Sequence, residues 1–134
     1  MVEFGEACNE ARCFKYWSLD KSLRDGMLEE LADCLHFVLS LGVSLGVEKL
    51  PIVTLVNTVR DEFYSHSSTE LLVEQSTGLF KLVVELDLEG TLAWVTLLRA
   101  FLEFCHSLGV EQSTLESAYW TKHEVNYRRQ ENGY

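Results

Sequence analysis

The sequence has little of what breaks regular structure or marks export. It contains one proline in 134 residues, and no apolar run reaches the ~18 residues that a membrane span requires. Its first ten residues, MVEFGEACNE, lack the basic start of a signal peptide and the arginines of a transit peptide. We therefore expect no membrane partner, and the missing targeting segment predicts a cytoplasmic protein.

Positive charge is also scarce. Eleven lysines and arginines face 21 aspartates and glutamates, which gives a formal net charge of −10. Nucleic-acid binders depend on basic side chains that neutralise phosphates, so we expect no nucleic-acid partner. A small phosphate ligand remains compatible with this charge, because metal ions can bridge an acidic protein to a polyphosphate.

The four cysteines show no C-x-x-C spacing, which argues against a redox or zinc motif. They are Cys8, Cys13, Cys34 and Cys105. Without an export signal they are expected to be reduced, at least partly buried and structural. The length fits one domain over residues 1–134, and the 47% hydrophobic content predicts a well-packed core.

The apolar pattern is helical throughout and predicts an all-α bundle of about five helices. Ser113-x-x-Glu116 resembles a capping box that opens the last helix. Residues 47–68 carry no clear pattern, and the lack of other strand signals favours a helix or loop there. The predicted helices span about residues 2–15, 27–41, 69–84, 91–108 and 114–131.

Two pairs of carboxylates are spaced three residues apart, in Glu3-x-x-Glu6 and in Glu30-x-x-Asp33-x-x-His36. Positions i and i+3 share one face of a helix. Asp33 interrupts an otherwise apolar run, and aspartate is a poor residue for the middle of a helix. Four acids brought together would repel one another unless a hard cation neutralised them, so a Mg²⁺ or Mn²⁺ site is the first hypothesis.

Simpler interpretations compete with the metal hypothesis. Either acidic pair alone is usually a solvated helix face. His36 fits a hydrogen-bonded core residue better than a ligand, although it is placed to orient Asp33 or a phosphate. Glu29 is expected to face solvent.

A di-iron site is the rival metal chemistry, since Asp33-x-x-His36 and Glu103-x-x-His106 both have the spacing that such bundles use. Arg99, Glu103 and His106 form a polar stripe that looks exposed, so half of that site would be missing. A set that is mostly carboxylate fits Mg²⁺ or Mn²⁺ better than iron or zinc.

The predicted last helix carries Lys122, Asn126 and Arg129 at i, i+4 and i+7, which places them in one stripe. Lysine and arginine beside an asparagine suit phosphate and sugar oxygens. The same spacing fits a solvated carboxy-terminal helix about as well.

Three segments together resemble a known family. They are EFGEACNEARCFKYWS from Glu3, ELADCLHF from Glu30, and the ending A-Y-x-x-K-x-x-x-N-x-x-R-Q-x-x-G-Y from Ala118. They are similar to the all-α dimeric dUTPases of the MazG-like nucleotide pyrophosphohydrolase superfamily. The resemblance covers about residues 1–43 and 107–134, and the middle matches only in helical character.

The resemblance implies a role for each matching residue. Mg²⁺ would be held by Glu3, Glu6, Glu30 and Asp33, and Glu6 would orient or deprotonate the attacking water. Phosphates would be bound by Lys15, Lys122 and Arg129, and the sugar or a phosphate by Asn126. Trp17 and Phe37 would line the base pocket, and His36 is the remaining candidate for nucleotide binding.

The reaction implied is hydrolysis of dUTP to dUMP and pyrophosphate by a homodimer, with dUDP as a further candidate substrate. Relatives carry another helix before the first acidic motif, which helps to read the uracil edge, and they continue beyond Gly133-Tyr134. We expect this chain to lack both. Two alternatives stay open: a MazG-like enzyme acting on dCTP or another dNTP, and a non-catalytic helical module that binds nucleotide or a partner helix.

Overall fold

Helices account for most of the described chain, and no strand occurs among the described residues. The computed structural model describes residues 1–15, 17–20, 22–47, 68–86 and 91–133. The predicted all-α class is confirmed, and most of the unclear stretch 47–68 lies outside the described residues. None of the described helices is long and apolar enough to cross a membrane. The helices are α1 (Val2–Ala11), α2 (Met27–Ser44), α3 (Thr69–Val84), α4 (Thr91–Ser107) and α5 (Gln112–Glu131).

The first helix ends at Ala11, four residues before the predicted end at Lys15. Arg12 adopts a left-handed conformation, with φ 59°, and its backbone N–H donates to the Asn9 carbonyl. Its buried guanidinium donates to the Asp20 carbonyl at 3.0 Å and to the Ser18 hydroxyl. These bonds satisfy a charge that would otherwise be costly to bury, and they fix the loop that joins α1 to α2.

The turn between α4 and α5 explains why the predicted capping box is wrong. Gly109 has a φ of +80°, its N–H donates to His106, and the Val110 N–H donates to Cys105, which together close α4 in a Schellman motif. The N–H groups of Thr114 and Leu115 already donate to the carbonyl of Glu111. Helix α5 therefore begins at Gln112 with Glu111 as its N-cap, and Ser113 lies inside the helix.

The core lies between α2 and its neighbours, since α2 packs against α1, α4 and α5 while α3 packs against α4. Its largest fully buried side chains include Phe101, Phe104, Leu31 and Leu97. All four cysteines are buried with free thiols, as expected for structural residues. The packing brings the acidic first turns of α1 and α2 close together and lays α5 along α2.

Helices α2 and α4 approach closely at Gly42. A Cβ on this glycine would lie 2.5 Å from the ring of Trp94. The Trp94 indole N–H donates to the Val38 carbonyl at 2.6 Å, which fixes the ring across α2. Glycine is therefore the residue that the packing at this position allows.

Candidate functional site

Three of the four predicted metal-binding acids meet between α1 and α2. Glu3 comes from the first turn of α1, and Glu30 and Asp33 come from the first two turns of α2. One oxygen of each lies within 4.8 Å of the other two, and all three side chains are half-buried. We call these three residues the carboxylate cluster.

The electrostatics of the cluster oppose ionisation of its two glutamates. Burial, followed by the charges of Glu6 and Asp33, raises the pKa of Glu3 above its ordinary value. The same causes, in the same order, raise the pKa of Glu30. Partly desolvated carboxylates that repel one another are costly, and a bound cation would offset that cost.

Glu6, the fourth predicted acid, lies at the rim of the cluster. It is exposed, one turn from Glu3 on α1, and it is outside the set of three whose oxygens come within 4.8 Å. It remains close enough for its charge to raise the pKa values of Glu3 and Glu30. Glu6 therefore lies beside the carboxylate cluster and is more exposed than its three members.

The ligand atoms of the cluster fit a hard divalent cation. All are carboxylate oxygens, the type preferred by Mg²⁺ and Mn²⁺, and no imidazole belongs to the set. The di-iron alternative would also need Glu103, whose carboxylate instead accepts a hydrogen bond from Arg99 at 2.8 Å. Within the described ranges, the cluster is the one group of three such side chains close enough to share an ion.

Lys122 reaches the cluster from α5. Its Nζ atom lies 2.8 Å from Asp33 Oδ2 and 2.6 Å from Glu29 Oε1. Its side chain is 16% exposed and that of Asp33 is 18% exposed. Burial alone would lower the pKa of Lys122, but the hydrogen bonds to Asp33 and Glu29 outweigh it and raise that pKa.

Glu29 is a residue that the sequence prediction assigned only to solvent. Its side chain is indeed 64% exposed, yet it accepts a hydrogen bond from Lys122, and this bond lowers its pKa. The sequence did indicate that Glu29 lies near Asp33, because the two are four residues apart and share a face of α2.

The predicted polar stripe lies on one continuous helix, since α5 runs unbroken through Lys122, Asn126 and Arg129. Asn126 is half-buried, while Arg129 is exposed. The charge of Arg129 contributes to the lowered pKa of Glu29, so it acts on the same end of α2 as Lys122. The Lys122 end of the stripe thus adjoins the carboxylate cluster.

His36 is fixed by contacts other than Asp33. Its Nδ1–H donates to the Ala32 carbonyl at 2.8 Å. Its ring stacks on Tyr119 of α5, with centroids 4.1 Å apart and planes 20° apart, and the ring of His123 lies 5.9 Å away. Tyr119 is a contact that the sequence did not predict, and its only signal was its position one turn before Lys122.

The predicted base-binding aromatics are both exposed. Phe37 is 59% exposed and lines an apolar cleft of about 70 Å³ that extends to Glu3. Trp17 is 70% exposed and lies in the loop that Arg12 fixes. Lys15 is half-buried just after the end of α1. The structure therefore places one of these aromatics next to the cluster.

The fold and the site together define a class of all-α proteins in which a cluster of carboxylates adjoins a helix with basic side chains. A family model described as dUTPase matches residues 1–134, the whole chain. The chain belongs to the dUTPase family, and it is a dUTP-hydrolysing enzyme of that family. Searches of curated proteins and of solved structures returned no match.

Proposed function

We propose that this enzyme hydrolyses dUTP to dUMP and pyrophosphate and that it requires Mg²⁺, with Mn²⁺ as a substitute. The observation that carries the proposal is the carboxylate cluster, whose three oxygens lie within 4.8 Å of one another beside a lysine of α5. Positioning and charge neutralisation account for most of the catalysis of phosphoryl transfer, and this arrangement offers both.

The acids divide into two roles in this proposal. Glu3, Glu30 and Asp33 would hold the cation, which supplies positive charge to the triphosphate when bound. Glu6 is exposed at the rim, where its carboxylate can orient the attacking water and accept a proton from it.

The polar stripe of α5, formed by Lys122, Asn126 and Arg129, would hold the substrate on the side away from the cation. Lys122 and Arg129 would donate to phosphate oxygens, and Asn126 between them would bind the sugar or a phosphate. Lys15 would add a further phosphate contact from the α1–α2 loop.

The base would lie against aromatic rings. Phe37 presents an exposed ring beside an apolar cleft that extends to Glu3, and Trp17 presents another. Uracil stacked on such rings would bury its flat face while its polar edge stays in water. His36, fixed against Tyr119, would support this side of the site.

We also propose that the enzyme is a cytoplasmic homodimer with no nucleic-acid partner. Exposed apolar residues on α5, namely Trp120, Val125 and Tyr127, offer surface for a second copy. The net charge of −10 disfavours nucleic acid. Light scattering coupled to size exclusion gives the oligomeric state.

The decisive experiment is pyrophosphate release from dUTP, dCTP, dTTP and dATP in Mg²⁺, with EDTA as the metal-free control. We expect dUTP to be the fastest substrate, with dUMP and pyrophosphate formed in equal amounts and no reaction in EDTA. A higher rate with dCTP would favour the MazG-like alternative.

Absence of hydrolysis with every nucleotide would refute the proposal. Calorimetric binding of a non-hydrolysable dUTP analogue, if it occurred without turnover, would then support a nucleotide-binding module. Parallel assays with dUDP test whether the enzyme also hydrolyses a nucleotide that lacks the γ-phosphate.

A further inference from the structure

We infer that Lys122 is an internal competitor for the divalent cation at Asp33, with Glu29 as the acceptor that keeps the lysine nearby when the cation binds. The inference rests on the metal site proposed above and concerns how that site is regulated.

The competition follows from the position of the ammonium group. Lys122 Nζ lies 2.8 Å from Asp33 Oδ2, and Asp33 belongs to the carboxylate cluster. A divalent cation bound to this carboxylate, with metal–oxygen distances of about 2.0–2.6 Å, would lie close to the lysine charge. The two side chains are 16% and 18% exposed, so water screens the repulsion less than it would between fully exposed charges.

Glu29 gives Lys122 a second partner outside the cluster. Its Oε1 atom lies 2.6 Å from Nζ, and its carboxylate is largely exposed. Lys122 can therefore leave Asp33 while it keeps one charge-assisted hydrogen bond. Because Lys122 lies on the same stripe as Arg129, the ammonium that the metal releases stays on the phosphate-binding side of α5.

The opposite role for Lys122 makes an opposite prediction. A lysine that merely orients Asp33 as a metal ligand would strengthen metal binding, as side chains that hydrogen-bond to metal ligands commonly do. A competing lysine weakens it. The sign of the change in metal affinity after removal of the ammonium distinguishes the two roles.

The test is titration of the nucleotide-free protein with Mn²⁺, followed by electron paramagnetic resonance of the free ion. We expect Lys122→Met to bind Mn²⁺ about 5- to 50-fold more tightly than wild type, within the usual range of coupling between sites. Arg99→Met is the matched control, since it removes the same charge from an exposed pair on α4 and should leave Mn²⁺ affinity unchanged.

A second pair of variants checks the role of Glu29. Glu29→Gln removes the negative charge of the alternative acceptor, so we expect weaker Mn²⁺ binding in the wild-type background. In the Lys122→Met background the same change should have a much smaller effect, because no competitor remains. Lys122→Gln replaces Lys122→Met if circular dichroism shows that the methionine variant is unfolded.

The outcomes separate this inference from the proposed function. If wild type binds Mn²⁺ but Lys122→Met binds it equally well or more weakly, the competitor role is wrong and the metal site remains. If none of the folded variants binds Mn²⁺, both the metal site and the inference fail.

Discussion

Glu30 and Asp33 lie one turn apart on α2 but in opposite electrostatic surroundings. Glu30 is half-buried among other acids, and its pKa is raised. Asp33 accepts a hydrogen bond from Lys122 at 2.8 Å. Removing the charge of Glu30 therefore relieves repulsion, whereas removing the charge of Asp33 leaves a half-buried ammonium with one charged partner fewer.

We expect Glu30→Gln and Asp33→Asn both to abolish dUTP hydrolysis, since each deletes a proposed metal ligand. Their stabilities should differ. In EDTA, Glu30→Gln should be at least as stable as wild type, while Asp33→Asn should lose about 1–2 kcal/mol because the hydrogen bond from Lys122 loses the charge of its acceptor. Pyrophosphate release and urea unfolding measure the two effects.

Glu124→Gln serves as the control for these variants, because Glu124 lies in an exposed pair with Arg128 on α5. It should change neither turnover nor stability appreciably. Wild-type turnover in both site variants would contradict the ligand assignment, and equal stabilities would contradict the difference in surroundings.

The spacing of acids along each helix was predictable because it is local. Glu30 and Asp33 share a helix face wherever that helix packs. Their approach to Glu3 depends on α1 packing against α2, which periodicity alone does not specify. The hydrogen bond from Lys122 to Glu29 joins residues 93 positions apart, so nothing local in the sequence indicated it.

Among the described helices, α2 and α4 approach closely at Gly42, where a Cβ would lie 2.5 Å from the Trp94 ring. We expect Gly42→Ala to lower the free energy of unfolding by about 1–3 kcal/mol, because the new Cβ would overlap the Trp94 ring. Thermal and urea unfolding followed by circular dichroism provide the measurement.

Gly78→Ala is the matched control on α3. A Cβ there would meet no atom within 4 Å, and the site is exposed within a helix. Alanine should therefore raise stability by about 0.5–1 kcal/mol through helix propensity. If the two substitutions had equal effects, the close approach at Gly42 would not be the cause.

Helix bounds were predictable where local signals acted alone. Helix α3 occupies the predicted residues 69–84, and the side chain of Ser68 caps it by accepting a hydrogen bond from the Leu71 N–H. The end of α1 was not predictable, because Arg12 is held by Ser18 and Asp20 in the following loop. At α5, a plausible capping-box sequence lay two residues inside a helix whose start is set by the preceding turn.

Over the whole molecule, an excess of acids makes stability depend on pH in two opposing ways. Hydrogen bonds to Ser22 and Lys122 lower the pKa values of Asp20 and Glu29, so these groups contribute stability that is lost as the pH falls. Burial raises the pKa values of Glu3 and Glu30 above the ordinary 4.5. In those two the folded state retains protons that the unfolded state releases, so their contribution is lost as the pH rises.

Comparison of wild type with Glu30→Gln isolates the second effect. In EDTA, the stability of the variant relative to wild type should increase as the pH rises from about 4 to about 7. Excess Mg²⁺ at neutral pH should reverse the order, because a cation that binds only the folded wild type stabilises it. Urea unfolding across this pH range, with and without Mg²⁺, provides the measurement.

A constant difference between the two proteins across this pH range would contradict the raised pKa of Glu30. Equal stabilisation of both proteins by Mg²⁺ would contradict the role of Glu30 as a metal ligand. Glu124→Gln again supplies the control, since Glu124 lies in an exposed pair outside the cluster, and Mg²⁺ should stabilise this variant as much as it stabilises wild type.

The order of synthesis determines when Lys122 and Glu29 can form their hydrogen bond. The two residues are 93 positions apart, and a ribosome that adds about 5–20 residues per second needs roughly 5–20 s to travel between them. During that interval α1 and α2 have been made and α5 has not, so Asp33 and Glu29 have no lysine partner from α5. If the cluster holds a cation as proposed, a dissolved metal ion would reach Asp33 before Lys122 does.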